Sequence, residues 1–192
     1  MTADDALSRL GFGSAAVAIV LVLVFTSAGT QAMTDGVQTY NGLRELALKT
    51  SPNDLKLQLD SGETIAYGVL MEMGLPKGTA TLTSYSTGDA SLYLSTGGGV
   101  IGGIHHDNVR SAAKLFVSSA QAYLSKLNEV ATFPLPPAGS THFFVLTNHG
   151  VYGSADMVSD DLARRGSEFF DLFTAGQNVI SQIRQMTQKS EP

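Results

Sequence analysis

The chain has 192 residues, with 12 Lys and Arg against 17 Asp and Glu, a net charge of −5 and no cysteine. The missing cysteines exclude disulfides, thiolate metal sites, a cysteine nucleophile and lipoprotein acylation. With no Lys/Arg cluster to neutralise phosphates, the composition argues against nucleic acid as a partner.

In chain order, Asp4, Asp5 and Arg9 come first, and residues 10–33 then run without a charged side chain. Within that run, residues 17–25 hold eight Val, Ile, Leu or Phe side chains. At about −0.3 to −0.6 kcal/mol each near the bilayer centre, they supply roughly −2 to −5 kcal/mol toward insertion. About 20 such residues cross a hydrocarbon core of about 30 Å. Residues 10–33 are therefore expected to be an uncleaved, single-pass anchor that ties the chain to a membrane.

A cleaved signal peptide is the alternative, with residues 15–25 as its apolar region and Thr30-Gln31-Ala32 as the small-residue site. Asp4, Asp5 and a lone Arg9 depart from the positive leader that such a peptide needs. Arg9 before the segment against Arg44 and Lys49 after it leaves the side of the soluble part undetermined. If the segment is cleaved, that part is secreted or periplasmic. Residues 34–192 carry a net charge of −4 and are long enough for one domain with its own core.

Within that domain, Val37, Tyr40, Leu43 and Ala47 have helical spacing, predicting a helix over residues 35–49 that ends before Pro52. Leu55, Leu57 and Leu59 alternate with Lys56, Gln58 and Asp60, which predicts a half-buried strand. Residues 64–73 are apolar on both faces and read as a central strand. Residues 79–85 and 90–95 bracket Thr87-Gly88-Asp89 as a hairpin. A glycine-rich loop, residues 97–103, leads to a helix predicted over 107–129, with Asp107 as its N-cap and a stripe through Val109, Ala113, Phe116, Ala120 and Leu127. An extended linker, Phe133-Pro134-Leu135-Pro136-Pro137, precedes a second hairpin, residues 141–147 and 151–155, around Asn148-His149-Gly150. A final helix is predicted from Ser159, with Asp160 and Asp161 at the positive end of its dipole.

The expected fold is α+β: an N-terminal membrane-spanning or signal helix, then one antiparallel-sheet domain with two long amphipathic helices packed on it. This order of elements resembles the roadblock/longin and profilin-like group of small domains over residues 38–186. The resemblance rests on element order, with no family motif matched residue by residue. It implies a dimerising scaffold or regulator of small GTPases rather than an enzyme.

Candidate chemistry is sparse. Gly97-Gly98-Gly99-Val100-Ile101-Gly102 satisfies the dinucleotide spacing, in which glycines let the backbone approach a phosphate at a helix N-terminus. The late helix start, the negative charge of Asp107 and the antiparallel context all oppose a dinucleotide site. As a loop for a small ligand or anion, the candidates are Gly97, Gly98, Gly99, Gly102, Gly103, His105, His106 and Asp107. The pair His105-His106 with Asp107 also offers groups that exchange protons or bind metal near neutral pH, although adjacent residues diverge on a strand. Glu72, alone in an apolar strand, would if buried have a raised pKa suited to acid/base work. Neither catalytic residue, metal ligand nor cofactor is assigned.

The functional expectation is a membrane-tethered, non-enzymatic domain that binds a protein partner or its own copy. The runner-up is a small-ligand or phosphate-binding domain, or an enzyme of that kind, using the loop at residues 97–103.

Overall fold

The computed structural model describes the backbone of residues 29–60 and 62–189. The order of elements is α1 (Gly29–Lys49), β1 (Ala66–Leu75), β2 (Gly78–Tyr85), β3 (Ala90–Leu94), β4 (Gly99–Val100), α2 (Asp107–Tyr123), β5 (Asn128–Glu129), β6 (Ser140–Thr147), β7 (Gly150–Gly153), β8 (Met157–Val158), α3 (Ser159–Leu162) and α4 (Phe170–Lys189). All strand pairs are antiparallel and form one sheet in the order β4-β3-β2-β1-β6-β7-β5, with β8 added to β6. The expected α+β class with an antiparallel sheet is what the structure shows.

β1 lies at the centre, paired with β2 on one side (Met71 opposite Leu82) and β6 on the other (Met71 opposite Phe143). Its double-sided apolar pattern follows from helices on both sheet faces. On one face, Val69, Met71, Leu82, Phe143 and Val145 pack with Phe116 and Val117 of α2 and Leu172, Val179 and Ile183 of α4. These are the two amphipathic helices expected from the sequence. α1 and the segment after it cover the other face, where Leu70, Tyr85, Phe144 and Leu146 meet Ala47, Leu55, Leu57, Leu59 and Phe133.

Four local expectations need correction. Leu55, Leu57 and Leu59 do not form a strand: the chain turns over residues 52–56 and then runs without regular structure. Their alternation serves to drop three leucines onto the back of the sheet and pairs with no ladder. The long helix stops at Tyr123, where a 3₁₀ turn, Leu124–Lys126, leads into β5. Asp107 is the first residue of α2 rather than its N-cap; His106 holds that position without a side-chain bond, and Asp107 pairs with Arg110 one turn on.

The last helix is not continuous from Ser159. α3 stops after one turn, Gly166 takes a left-handed conformation (φ 91°), and α4 starts at Phe170. The break lets Leu162 and Phe169 both reach the core, which a straight helix through Gly166 does not require. Of the apolar stretch at residues 10–33, residues 10–28 lie outside the described ones, and residues 29–33 open α1. Among the described residues, no helix is long and apolar enough to cross a membrane.

The linker after β5 is a strap laid against the α1 face. Phe133 meets Phe144 edge-on, with ring centroids 5.3 Å apart. At its far end the strap backbone touches β1 at Gly74, where a Cβ would stand 2.0 Å from the Pro137 carbonyl oxygen. Neither backbone can yield cheaply, so Gly74→Ala is expected to cost about 3 kcal/mol, the upper part of the usual overpacking range. A urea unfolding midpoint measures it, and an unchanged midpoint would mean the strap is loosely held.

Candidate functional site

The densest set of functional groups lies between α1 and the sheet, on the face opposite α2 and α4. Four elements supply it: Tyr40 and Arg44 from successive turns of α1, Glu72 from β1, Thr81 from β2, and His142 from β6. Strand register explains the convergence, because Glu72 is opposite both Thr81 and His142 in the ladders.

Glu72 is fully buried. Arg44 Nε donates to its Oε1 and Arg44 Nη2 to its Oε2, both at 2.7 Å. Thr81 Oγ1 donates to Oε1 at 2.9 Å, and His142 Nε2 lies 3.1 Å from Oε2. A carboxylate offers about four lone-pair positions, so this one is fully engaged. Since the Thr81 hydrogen goes to Glu72, the Tyr40 hydroxyl is the donor in its 2.8 Å bond to Thr81. Arg44 Nη2 also donates to the Phe133 carbonyl at 2.9 Å, which joins α1 to the strap.

His142 extends the network outward. Its Nδ1 stands 2.8 Å from Oδ1 of Asp156, a half-exposed residue between β7 and β8. Both ring nitrogens therefore face carboxylates, and an ionised carboxylate only accepts. The imidazole thus bridges the buried Glu72 to the half-exposed Asp156. Two rings flank the network: Phe144 has its centroid 4.6 Å from the imidazole, and Tyr93 is edge-on to Tyr40 at 6.5 Å.

The raised pKa expected for a buried Glu72 needs correction: burial alone would push the carboxyl up, but its partners outweigh it. The hydrogen bonds from Arg44 and His142, the Arg44 charge and the Thr81 hydroxyl reverse this and hold it below its ordinary value of 4.5. A carboxyl lowered on folding stabilises the protein fully above its unfolded value, and that contribution is lost as pH falls through the folded one. Stability should therefore decline on acidification below about pH 4.5, and Glu72→Gln should flatten that decline. Urea midpoints measured between neutral pH and pH 3 test this; an identical decline in both proteins rules Glu72 out as its source.

Asp89, in the β2–β3 turn, has the opposite sign. Burial raises its carboxyl above the ordinary value, against the nearby N–H groups of Ala90 and Ile104 and the charge of His105. Its Oδ1 is buried without a partner. The ionised form is the costly one, so Asp89→Asn is expected to stabilise the protein at neutral pH. That gain should shrink as pH falls toward the ordinary Asp range, where the wild-type group becomes neutral. The same midpoints at pH 7 and pH 4 check it.

The structure places the predicted loop residues elsewhere. Gly97 and Gly98 form the β3–β4 turn with φ 98° and 86°, and Gly99 pairs with Tyr93 in the edge ladder. The loop spends amides internally: Gly97 N–H on the Leu94 carbonyl and Gly102 N–H on the Ser91 hydroxyl. Gly103 sits where a Cβ would come 2.5 Å from Val109, so it packs the loop against α2. His105, His106 and Asp107 are exposed and, with Gln182 and Met186 of α4, border a shallow cleft of about 280 Å³. The four histidines do not converge. His105 and His106 stand at the start of α2, His142 is in the buried network, and His149 is in the β6–β7 turn, 3.3 Å from the Thr64 hydroxyl.

Sequence reasoning singled out Glu72 and missed its partners. The available signal was a charged residue in a strand apolar on both faces, which demands an opposite charge somewhere buried. His142, in the apolar run of β6, was the second such signal. Among the described residues, no group of three His, Asp or Glu side chains is arranged to hold a metal ion. The chain matches no protein-family model, no curated protein and no solved structure, so the likeness to roadblock/longin or profilin-like domains stays one of element order.

Proposed function

We propose that the protein is a membrane-tethered, non-enzymatic binding domain whose helix α1 is locked onto the sheet. The observation that carries this reading is the clamp of Arg44 and Tyr40 on Glu72 and Thr81. Residues 29–33 of the apolar segment open α1, and the clamp fixes that helix across the sheet. A domain held in this way keeps one orientation to the membrane, which suits presentation of a surface to a protein partner or a second copy.

The same geometry disfavours catalysis at Glu72 and His142. Every lone pair of Glu72 is occupied, both nitrogens of His142 are engaged, and neither side chain reaches solvent. A general base needs a free position within hydrogen-bond reach of its substrate, and this pair offers none.

The test uses the full chain in native membranes. An alkaline wash should leave it in the pellet with residues 10–33 still present, and a zero-length cross-linker should yield one discrete adduct with a partner or with itself. Release by the wash, or a mature chain starting near Met33, overturns the tether. A chain that is strictly monomeric and yields no adduct overturns the binding role. If nucleotides or inorganic phosphate raise its melting temperature, and Gly99→Ala abolishes the shift, the loop at residues 97–103 is a ligand site instead.

A further inference from the structure

α1 runs along the sheet in a defined direction. Tyr40 meets Thr81 and Tyr93, Arg44 meets Glu72, and the end of the helix at Ala47 and Thr50 receives the Tyr85 and Tyr67 hydroxyls. Its earlier part therefore emerges where β1 passes into β2 and β3 passes into β4. The contact there is close: a Cβ on Gly36 would lie 3.4 Å from the Gly97 Cα.

This places the sheet relative to residues 29–33, the described end of the apolar segment. A helix advances about 1.5 Å per residue, so Gly36, three residues past Met33, stands about 5 Å beyond the segment's end. A headgroup layer is about 5–7 Å deep on each side of the hydrocarbon core. The strand turns beside Gly36 thus fall at headgroup depth if residues 10–33 span the bilayer.

The side chains at that end fit such a position. Among the described residues six large hydrophobics are exposed, and four of them gather there: Val37 on α1, Leu75 at the end of β1, Leu135 on the strap and Val158 on β8, each 43–54% exposed. Leu135 precedes the two prolines whose carbonyls approach Gly74, and Val158 pairs with Ser140 beside the Gly139 amide that bonds the Gly74 carbonyl. Residues 90–104, which include the β3–β4 turn, carry no charged side chain. Lys77 stands at the tip of the β1–β2 turn, where a cation suits phosphate groups; Asp160 and Asp161 follow Val158 in the first turn of α3.

We infer that this turn end of the sheet is a second lipid contact, with Leu75, Leu135, Val158 and the glycine turn at residues 97–98 seated in the interface of the same bilayer leaflet that α1 leaves. It rests on the tethered reading above. Glycine in the turn lets the backbone lie close to the headgroups, and the exposed leucines and valines contribute the apolar face that interfacial binding requires. The face is small and holds only because the tether keeps it at the surface.

The chain has no tryptophan, so single tryptophans report depth cleanly. The full chain is reconstituted in phosphatidylcholine vesicles brominated at shallow or deep acyl positions, as Leu75→Trp, Leu135→Trp, Leu115→Trp and Phe25→Trp. Leu115 is exposed on α2, which starts near Ala90 and ends near Ala66, the opposite end of the strands. Shallow bromine should quench Leu75→Trp and Leu135→Trp and leave Leu115→Trp unchanged, while deep bromine quenches Phe25→Trp. Quenched Phe25→Trp with unquenched Leu75→Trp and Leu135→Trp overturns this inference and leaves the tether standing. Unquenched Phe25→Trp removes the tether and the lipid contact together.

Discussion

Arg44→Ala is expected to destabilise the protein by about 3–5 kcal/mol, the range for removing one partner of a buried ion pair. In a domain of this size that lowers the melting temperature by roughly 6–20 °C. The magnitude follows from what is left behind: a carboxylate with no solvent exposure that loses two of its four hydrogen bonds and its only arginine. Desolvation is then uncompensated, and Glu72 must either take up a proton or draw water beneath α1. The paired change Arg44→Met with Glu72→Leu should recover only part of that loss: apolar residues often replace a buried pair at little cost, but Thr81 and His142 then lose their buried acceptor. Thermal melts of the two single variants and the double variant measure the coupling. A loss below about 1 kcal/mol for Arg44→Ala, typical of surface pairs, would mean that α1 is not clamped.

The second large effect belongs to the other face of the sheet. Phe143 is fully buried, edge-on to Phe116 with centroids 6.5 Å apart and stacked on Phe169 at 6.1 Å. Phe169 in turn stacks on Tyr123 at 5.1 Å. One ring thus joins β6 to α2 and to the segment that opens α4. Phe143→Ala should cost about 3–5 kcal/mol, combining lost transfer energy with the cavity left behind. Urea unfolding provides the value. Because Phe143 and Arg44 lie on opposite faces with no shared partner, their losses should add within about 0.5 kcal/mol; a marked shortfall would show that the two faces communicate.

Elements with strong local signals were legible in the sequence. The stripe through Val109, Phe116 and Ala120 names α2 because an amphipathic helix repeats its apolar side chains every turn. Asn148-His149-Gly150 names the second hairpin because its residues favour a tight turn. Alternation misled at Leu55, Leu57 and Leu59, since the same period suits any extended segment with one side against a core. The stripe across Gly166 misled for a related reason: helical spacing persists on both sides of a left-handed break. At the site, adjacency drew attention to His105-His106-Asp107, whereas the structure assembles its polar network from residues far apart. His142 and Glu72 are 70 positions apart, and register between β1 and β6 is not written in either strand alone.

That wide spacing bears on how the protein is made. Arg44 and the strap carbonyl it binds, at Phe133, are 89 positions apart. At about 5–20 residues per second, a ribosome delivers the first roughly 5–20 s before the second. During that interval α1 has been made while half of its seat does not yet exist. A guanidinium on a surface helix rests in water at little cost during this delay, whereas an apolar side chain in its place would invite premature contacts. Seating α1 through Arg44, Tyr40 and hydroxyl groups thus leaves the helix with a water-compatible face until β6 arrives.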